Sequence, residues 1–188
     1  MAKFGVTKAY RYYADRFYMD RANRDVYLYR DSNGELKLSG YKDIKLIRKT
    51  ADEVLNNDNT LQNDDELIVP VLANEVYFFI ASVRFKSATA ADFKMGWSVP
   101  SGTTMYWHSQ ALWYGVGVGS SPGAGMVETD SYARGGGGVT VETGFMVFGM
   151  IHVGATAGNV VLQWAQNTAD SSDITVMANS CITAFRLT

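Results

Sequence analysis

The chain has 188 residues, of which 47% are apolar, and carries a net charge of −2. That is enough for one domain with an appendage. It is too apolar for a disordered protein and lacks the basic field of a nucleic-acid binder. No apolar run approaches the ~20 residues of a membrane-spanning helix.

The N-terminal sequence lacks the apolar core of a signal peptide, so the expectation is a protein made in the cytoplasm and released, if at all, by lysis. The lone cysteine, Cys181, has no internal disulfide partner. It sits in an apolar strand pattern, which predicts a buried, inert thiol. Charge is uneven along the chain. Residues 1–66 hold 12 basic and 12 acidic side chains, and the other 122 residues hold 5 and 7. This divides the chain into a wet, contact-making extension at 1–60 and a compact sheet domain at 61–188.

Residues 1–24 are dense in aromatics. Tyr10, Tyr13 and Phe17 recur at helical spacing, which allows a short helix. Interleaved arginines and aspartates give the composition of an interface core. The plain alternative is a terminal helix packed on its own domain. Asp25 to Leu38 reads as a β-hairpin turning at Asp31-Ser32-Asn33-Gly34, because Asn-Gly tolerates positive φ. A four-residue loop sets Arg30 opposite Glu35 and Tyr29 opposite Leu36. Such a ribbon is marginal alone and needs a surface to lie on. Tyr27 and Tyr29 join Tyr10, Tyr13 and Phe17 as candidate partner contacts.

Lys42 to Arg48 reads as a short strand. Thr50 to Asn56 fits one helical turn, with Thr50 as N-cap and Glu53 three residues on. Gln62 to Glu66 is an acidic turn. Glu66 to Val71 is a strand whose Pro70 suggests an edge or a bulge. Val76 to Phe85 is long and apolar on both faces, as a central sandwich strand is. Phe93, Met95 and Trp97 alternate in the next strand. Thr103 to Ser109 places Thr104, Tyr106 and His108 on one face and Met105 and Trp107 on the other. Tyr114 to Gly138 is a glycine-rich loop pair with a strand near Met126 to Thr129. Val139 to Val153, Asn159 to Gln166, Ile174 to Met177 and Cys181 to Leu187 complete about eight or nine strands. The class is mainly β, a jelly-roll-like antiparallel β-sandwich with an N-terminal extension.

Chemistry is sparse. His108 and His152 lie in different strands without metal-ligand spacing. No GxSxG is present, and Cys181 does not open a helix. Glu128, Asp130 and Glu142 could serve as paired carboxylates, although charges beside loops are usually just solvated. The glycine runs lack GK[ST] and a following helix, so they are not phosphate loops. The expectation is a non-enzyme with no catalytic residue, no metal and no cofactor. Of the four tryptophans, Trp113 borders the glycine-rich loop, and with Tyr114 it is the candidate glycan contact.

Several runs together resemble a domain of tailed-bacteriophage virion proteins. They are LQNDDEL at 61–67, P-V-x-A-N at 70–74, Y-x-F at 77–79 and DFK at 92–94. The pattern continues with P-x-G at 100–102, Trp107, LQWAQNT at 162–168 and R-L at 186–187. The resemblance covers 61–188 and is carried by turn and strand punctuation. It implies a jelly roll, usually trimeric, displayed as a head decoration protein, head fibre or tail-associated fibre. The expected partners are two sister copies and the major capsid protein or another virion protein, with the location in the virion. Nucleic acid and membrane are not expected partners. On this reading residues 1–60 anchor a capsid decoration subunit. The alternative is a tail-fibre or receptor-binding domain touching host glycans through its glycine-rich loops.

Overall fold

The computed structural model describes residues 16–18, 27–30, 36–39, 44–111 and 126–187. It divides into two compact units, Met1–Asp43 and Ile44–Thr188.

In the first unit, β1 (Arg16–Tyr18), β2 (Tyr27–Arg30) and β3 (Leu36–Ser39) form an antiparallel sheet in that order. The expected hairpin is present as β2 and β3, but its register differs. Arg30 faces Leu36 and Tyr29 faces Lys37, so five residues connect the strands. Phe17, expected in a helix, lies in β1 opposite Leu28. Aromatic residues suit a ladder at least as well as a helix, and a third strand relieves the marginal stability of a lone ribbon. Tyr10 and Tyr13 lie outside the described residues.

The second unit is a two-sheet sandwich. Its strands are β4 (Ile44–Arg48), β5 (Glu53–Asn56), β6 (Gln62–Val71), β7 (Val76–Ser87), β8 (Phe93–Ser98) and β9 (Thr104–Ala111). They continue with β10 (Met126–Val127), β11 (Tyr132–Arg134), β12 (Gly138–His152), β13 (Gly158–Gln166), β14 (Asp173–Val176) and β15 (Cys181–Arg186). The pairing is nested: β4 with β15, β6 with β13, β7 with β12 and β8 with β11, all antiparallel. Successive pairs fall in alternate sheets. One sheet runs β6-β13-β8-β11, and the larger holds β4-β15-β7-β12, extended by β9 and β10. A long hairpin rolled so that its nested pairs alternate between two layers is a jelly roll. β5 and β14 continue the larger sheet beyond the far half of β7.

Three local expectations change. The unit boundary falls at 43/44, because β4 and β5 pair within the roll. Residues 53–56 form a strand, not a helical turn. Thr50 and Glu53 match a capping box, but Glu53 turns to Lys49, and the Thr50 N–H and hydroxyl donate to Glu66 at 2.8 and 2.7 Å. Gln62 to Glu66, read as a turn, is the first half of β6. The register against β13 slips there, since Val161 faces Ile68 while Gln163 faces Asn63. Asp64 to Leu67 therefore bulge opposite a single residue. The expectation for Pro70 holds, because β6 is a sheet edge.

The core lies between the sheets. β7 turns Tyr77, Phe79, Ala81, Val83 and Phe85 inward. Phe79 meets Trp97 edge-on at 5.2 Å, and Phe85 stacks on Phe93 at 4.4 Å. These contacts join the two layers, with aromatic geometry adding to buried area. Gly149 fits where β12 crosses Trp107. A Cβ there would lie 2.1 Å from the Tyr106 carbonyl oxygen and 2.7 Å from the Trp107 Cα.

Candidate assembly surface

Strict alternation decides which side chains leave the core. In β9, Met105, Trp107 and Ser109 are buried, and Tyr106 and His108 are exposed, as period-two geometry requires. The larger sheet therefore has an outer face five strands wide, and the Cα register fixes its rows. One row reads Tyr106, Met150, Phe78, Phe185 and Ile44. The next reads His108, Phe148, Ile80, Thr183 and Leu46. A third reads Gln110, Met146, Ser82, Cys181 and Arg48.

These rows are apolar where water would favour polar groups. Leu46 is 75% exposed, Tyr106 57%, Met146 48% and Phe148 37%. Phe78 stacks on Phe185 at 6.3 Å, and His108 lies against Phe148 at 5.8 Å. His152 meets Tyr106 edge-on at 6.1 Å. Among the described residues of the three rows, Arg48 carries the one formal charge, and its guanidinium donates to Asn179 at 2.7 Å. Beyond the third row the face ends on a polar border, where Arg84 bonds Glu142 at 2.7 Å and the Ala178 carbonyl at 2.9 Å. An apolar centre with a polar border is the anatomy of a protein interface. Five strands at ~4.8 Å and three rows at ~6.7 Å, with margins, give a face of roughly 500 Å² in projection. That is near the upper end of the largest patch on a monomer, about 300–600 Å².

The residues expected to carry chemistry have structural duties. Glu128 accepts the Met105 N–H at 3.0 Å, and Asp130 accepts the Val127 N–H at 2.8 Å. Glu142 is the partner of Arg84, which holds its carboxyl below the usual range. Trp97, Trp107 and Trp164 are buried, which removes them as sugar platforms. Trp113 and Tyr114 lie outside the described residues. Among the described residues no three metal-ligating side chains cluster. Cys181 is half-buried on the outer face rather than in the core, because its place in β15 is an outward one. Of the expected partner contacts, Phe17, Tyr27 and Tyr29 fall in the three-stranded sheet of the first unit.

Threefold packing is expected to cover apolar positions on the outer faces of the sandwich, but the sequence alone names no residue there. The signal for the larger sheet's outer face is the run VYFFIASVRF, which is apolar at odd and even positions alike. In a two-layer sandwich one face of each strand meets the core. Apolar residues on the other face therefore ask for a second cover.

No family model matches the chain, and no curated protein matches it. Among solved structures it is similar to the structure of infectious bursal disease virus, Gt strain, at 10% identity and a TM-score of 0.20. That alignment covers 84% of this chain and 43% of the viral one, so the chain spans less than half the length of that protein. Superposition at that level does not establish a shared fold, and the jelly roll is read from strand pairing.

Proposed function

We propose that this chain is a non-enzymatic structural subunit of a virion that self-associates through the outer face of its larger sheet. The observation that carries the assembly role is the set of uncharged rows centred on Tyr106, Phe148 and Leu46, exposed on a sheet whose other face is already packed. The setting rests on the resemblance of residues 61–188 to tailed-phage virion domains. The finer reading is a capsid decoration subunit. Sister copies close a trimer around the roll, and the unit at 1–43 attaches to the major capsid protein or another virion protein.

Symmetric closure suits a limited oligomer. A threefold ring is heterologous, so the outer face of one copy packs on a different surface of the next. Aromatic and arginine side chains in 1–43 suit a lattice anchor. The receptor-binding alternative depends on Trp113 and Tyr114, and no described contact favours it.

Immunogold electron microscopy of whole particles, with an antibody against this chain, tests the location. Label spread over the head is the expected result. Label confined to the tail tip moves the role to host recognition, and unlabelled particles refute a virion role.

A further inference from the structure

A second cluster lies away from the outer face. Lys49 leaves β4, and its backbone is pinned between Asn179 and Ser180 by two 2.8 Å hydrogen bonds. Its side chain runs inward and is 1% exposed. Nζ sits 2.5 Å from Glu53 Oε2 and 3.0 Å from Asp64 Oδ1. The Asp64 side chain is fully buried. Its Oδ1 also accepts the N–H groups of Glu66 and Leu67, at 3.0 and 2.8 Å. Those two amides are turned inward by the β6 bulge. Oδ2 is buried and has no hydrogen-bond partner.

A plain ion pair explains this arrangement poorly. Two carboxylates share one ammonium, and a buried pair gains little after desolvation. A buried, unpartnered carboxylate oxygen is unfavourable and calls for an explanation.

We propose that Lys49 and Asp64 condense into an intramolecular isopeptide bond, with Glu53 as the proton shuttle. Each neighbour has a role in that step. The Glu66 and Leu67 amides hold Oδ1 where an oxyanion develops, the arrangement that stabilises a tetrahedral intermediate. Oδ2, with nothing holding it, is the leaving oxygen. Glu53 takes the first proton from Nζ, within hydrogen-bond reach as a general base must be. Nζ then attacks Cγ, the N–C bond forms and the Cγ–Oδ2 bond breaks. Of the three ammonium protons, one stays on the amide nitrogen. The other two leave with Oδ2 as water, one of them returned by Glu53. No oxidant, reductant or outside reactant is required. The product removes two buried charges and the unpartnered oxygen together, and Oδ1 keeps both amide donors.

Burial draws the pKa of Lys49 down, while its bonds to Glu53 and Asp64 and their charges draw it up more strongly. The resting nitrogen is therefore an ammonium, and deprotonation by Glu53 precedes attack. Nζ is 3.0 Å from Oδ1, and attack needs it over the carboxyl face, at about 3–3.5 Å from the carbon. The linkage would tie β4 of the larger sheet to β6 of the smaller one, a covalent stitch between the layers.

The test is mass spectrometry of the full chain, folded, then denatured and digested with trypsin. The expected product is a single looped peptide, Lys49–Arg84, uncleaved after Lys49 and one water lighter than the same peptide in linear form. Glu53→Gln, folded by circular dichroism, should be cleaved after Lys49 and give the Thr50–Arg84 peptide at full mass. Linear peptides at full mass from the parent protein overturn the proposal. A one-water deficit confined to the Asp64 peptide, a cyclic imide, also overturns it. Cross-linking of Glu53→Gln at the parent's yield overturns the role of Glu53.

Discussion

Replacing Tyr106 by Ala should break self-association and leave the fold intact. Tyr106 is 57% exposed on the outer face. An aromatic side chain buries about 200 Å², so roughly 115 Å² of it remains for a partner to cover. At ~25 cal/mol per Å² that cover contributes about 2–3 kcal/mol. This corresponds to a loss of about 30–150-fold in the association constant. Sedimentation velocity over a dilution series reads that shift directly. Its neighbour supplies the control. Trp107 is fully buried, so Trp107→Ala should cost about 3–5 kcal/mol of folding stability instead. One step along β9 exchanges an assembly defect for a folding defect. If Tyr106→Ala assembles at the parent's concentration, or if the parent stays monomeric throughout the series, the outer face is not the interface.

Gly149→Ala forces a Cβ into the Tyr106 carbonyl at 2.1 Å. A cost of about 3 kcal/mol follows from overpacking against backbone, seen as a drop of roughly 6–12 °C in Tm for a chain of this size. Lys49→Met leaves the Asp64 carboxylate buried without its ammonium, and denaturant unfolding should show a loss of about 3–5 kcal/mol. The Glu66 carboxyl is held below its ordinary pKa by the Thr50 hydroxyl and N–H and the Ala51 N–H. The Asp170 carboxyl is likewise lowered by the Ser172 hydroxyl and N–H. Because their folded pKa values lie below the unfolded ones, their stabilisation is present above the ordinary carboxylate range. It is lost as pH falls through the folded values, so urea midpoints should be flat near neutrality and fall in acid. Thr50→Val should flatten part of that acid limb. Removal of residues 1–43 should leave the melting of the roll unchanged and abolish attachment to particles; attachment by the truncated chain refutes the anchor.

The sandwich was legible because a strand's period of two survives in the residue string. β9 follows its expected alternation residue by residue, and Pro70 correctly marked an edge. What escaped was decided by tertiary partners. Thr50 and Glu53 carry a helix-start pattern, yet their side chains answer Glu66 and Lys49, which are distant in the chain or unremarkable in it. The bulge at Asp64 to Leu67 hides in LQNDDEL, where polarity reads as a turn and the strand's alternation fails. The order of strands is set by nested pairing across more than a hundred residues, which local pattern does not encode. The outer face is visible in the residue string as a strand apolar on both sides, a pattern that marks a central position and a second cover alike, so the string alone does not pick out its residues.

The pairing of β4 with β15 also sets a timetable. A ribosome adds about 5–20 residues per second, so the first strand of the roll waits on the order of ten seconds or more for its mate. Until then one edge of β7 is open, and Ile44 and Leu46 have no sheet to sit on. The rows of the docking face take strands from both ends of this segment, so no part of the chain presents them before β15 has been made. In the proposed assembly, sister copies therefore join only after β15 has been made. The yield of assembled particles would then follow the free concentration of folded subunits, not the clustering of ribosomes on one message.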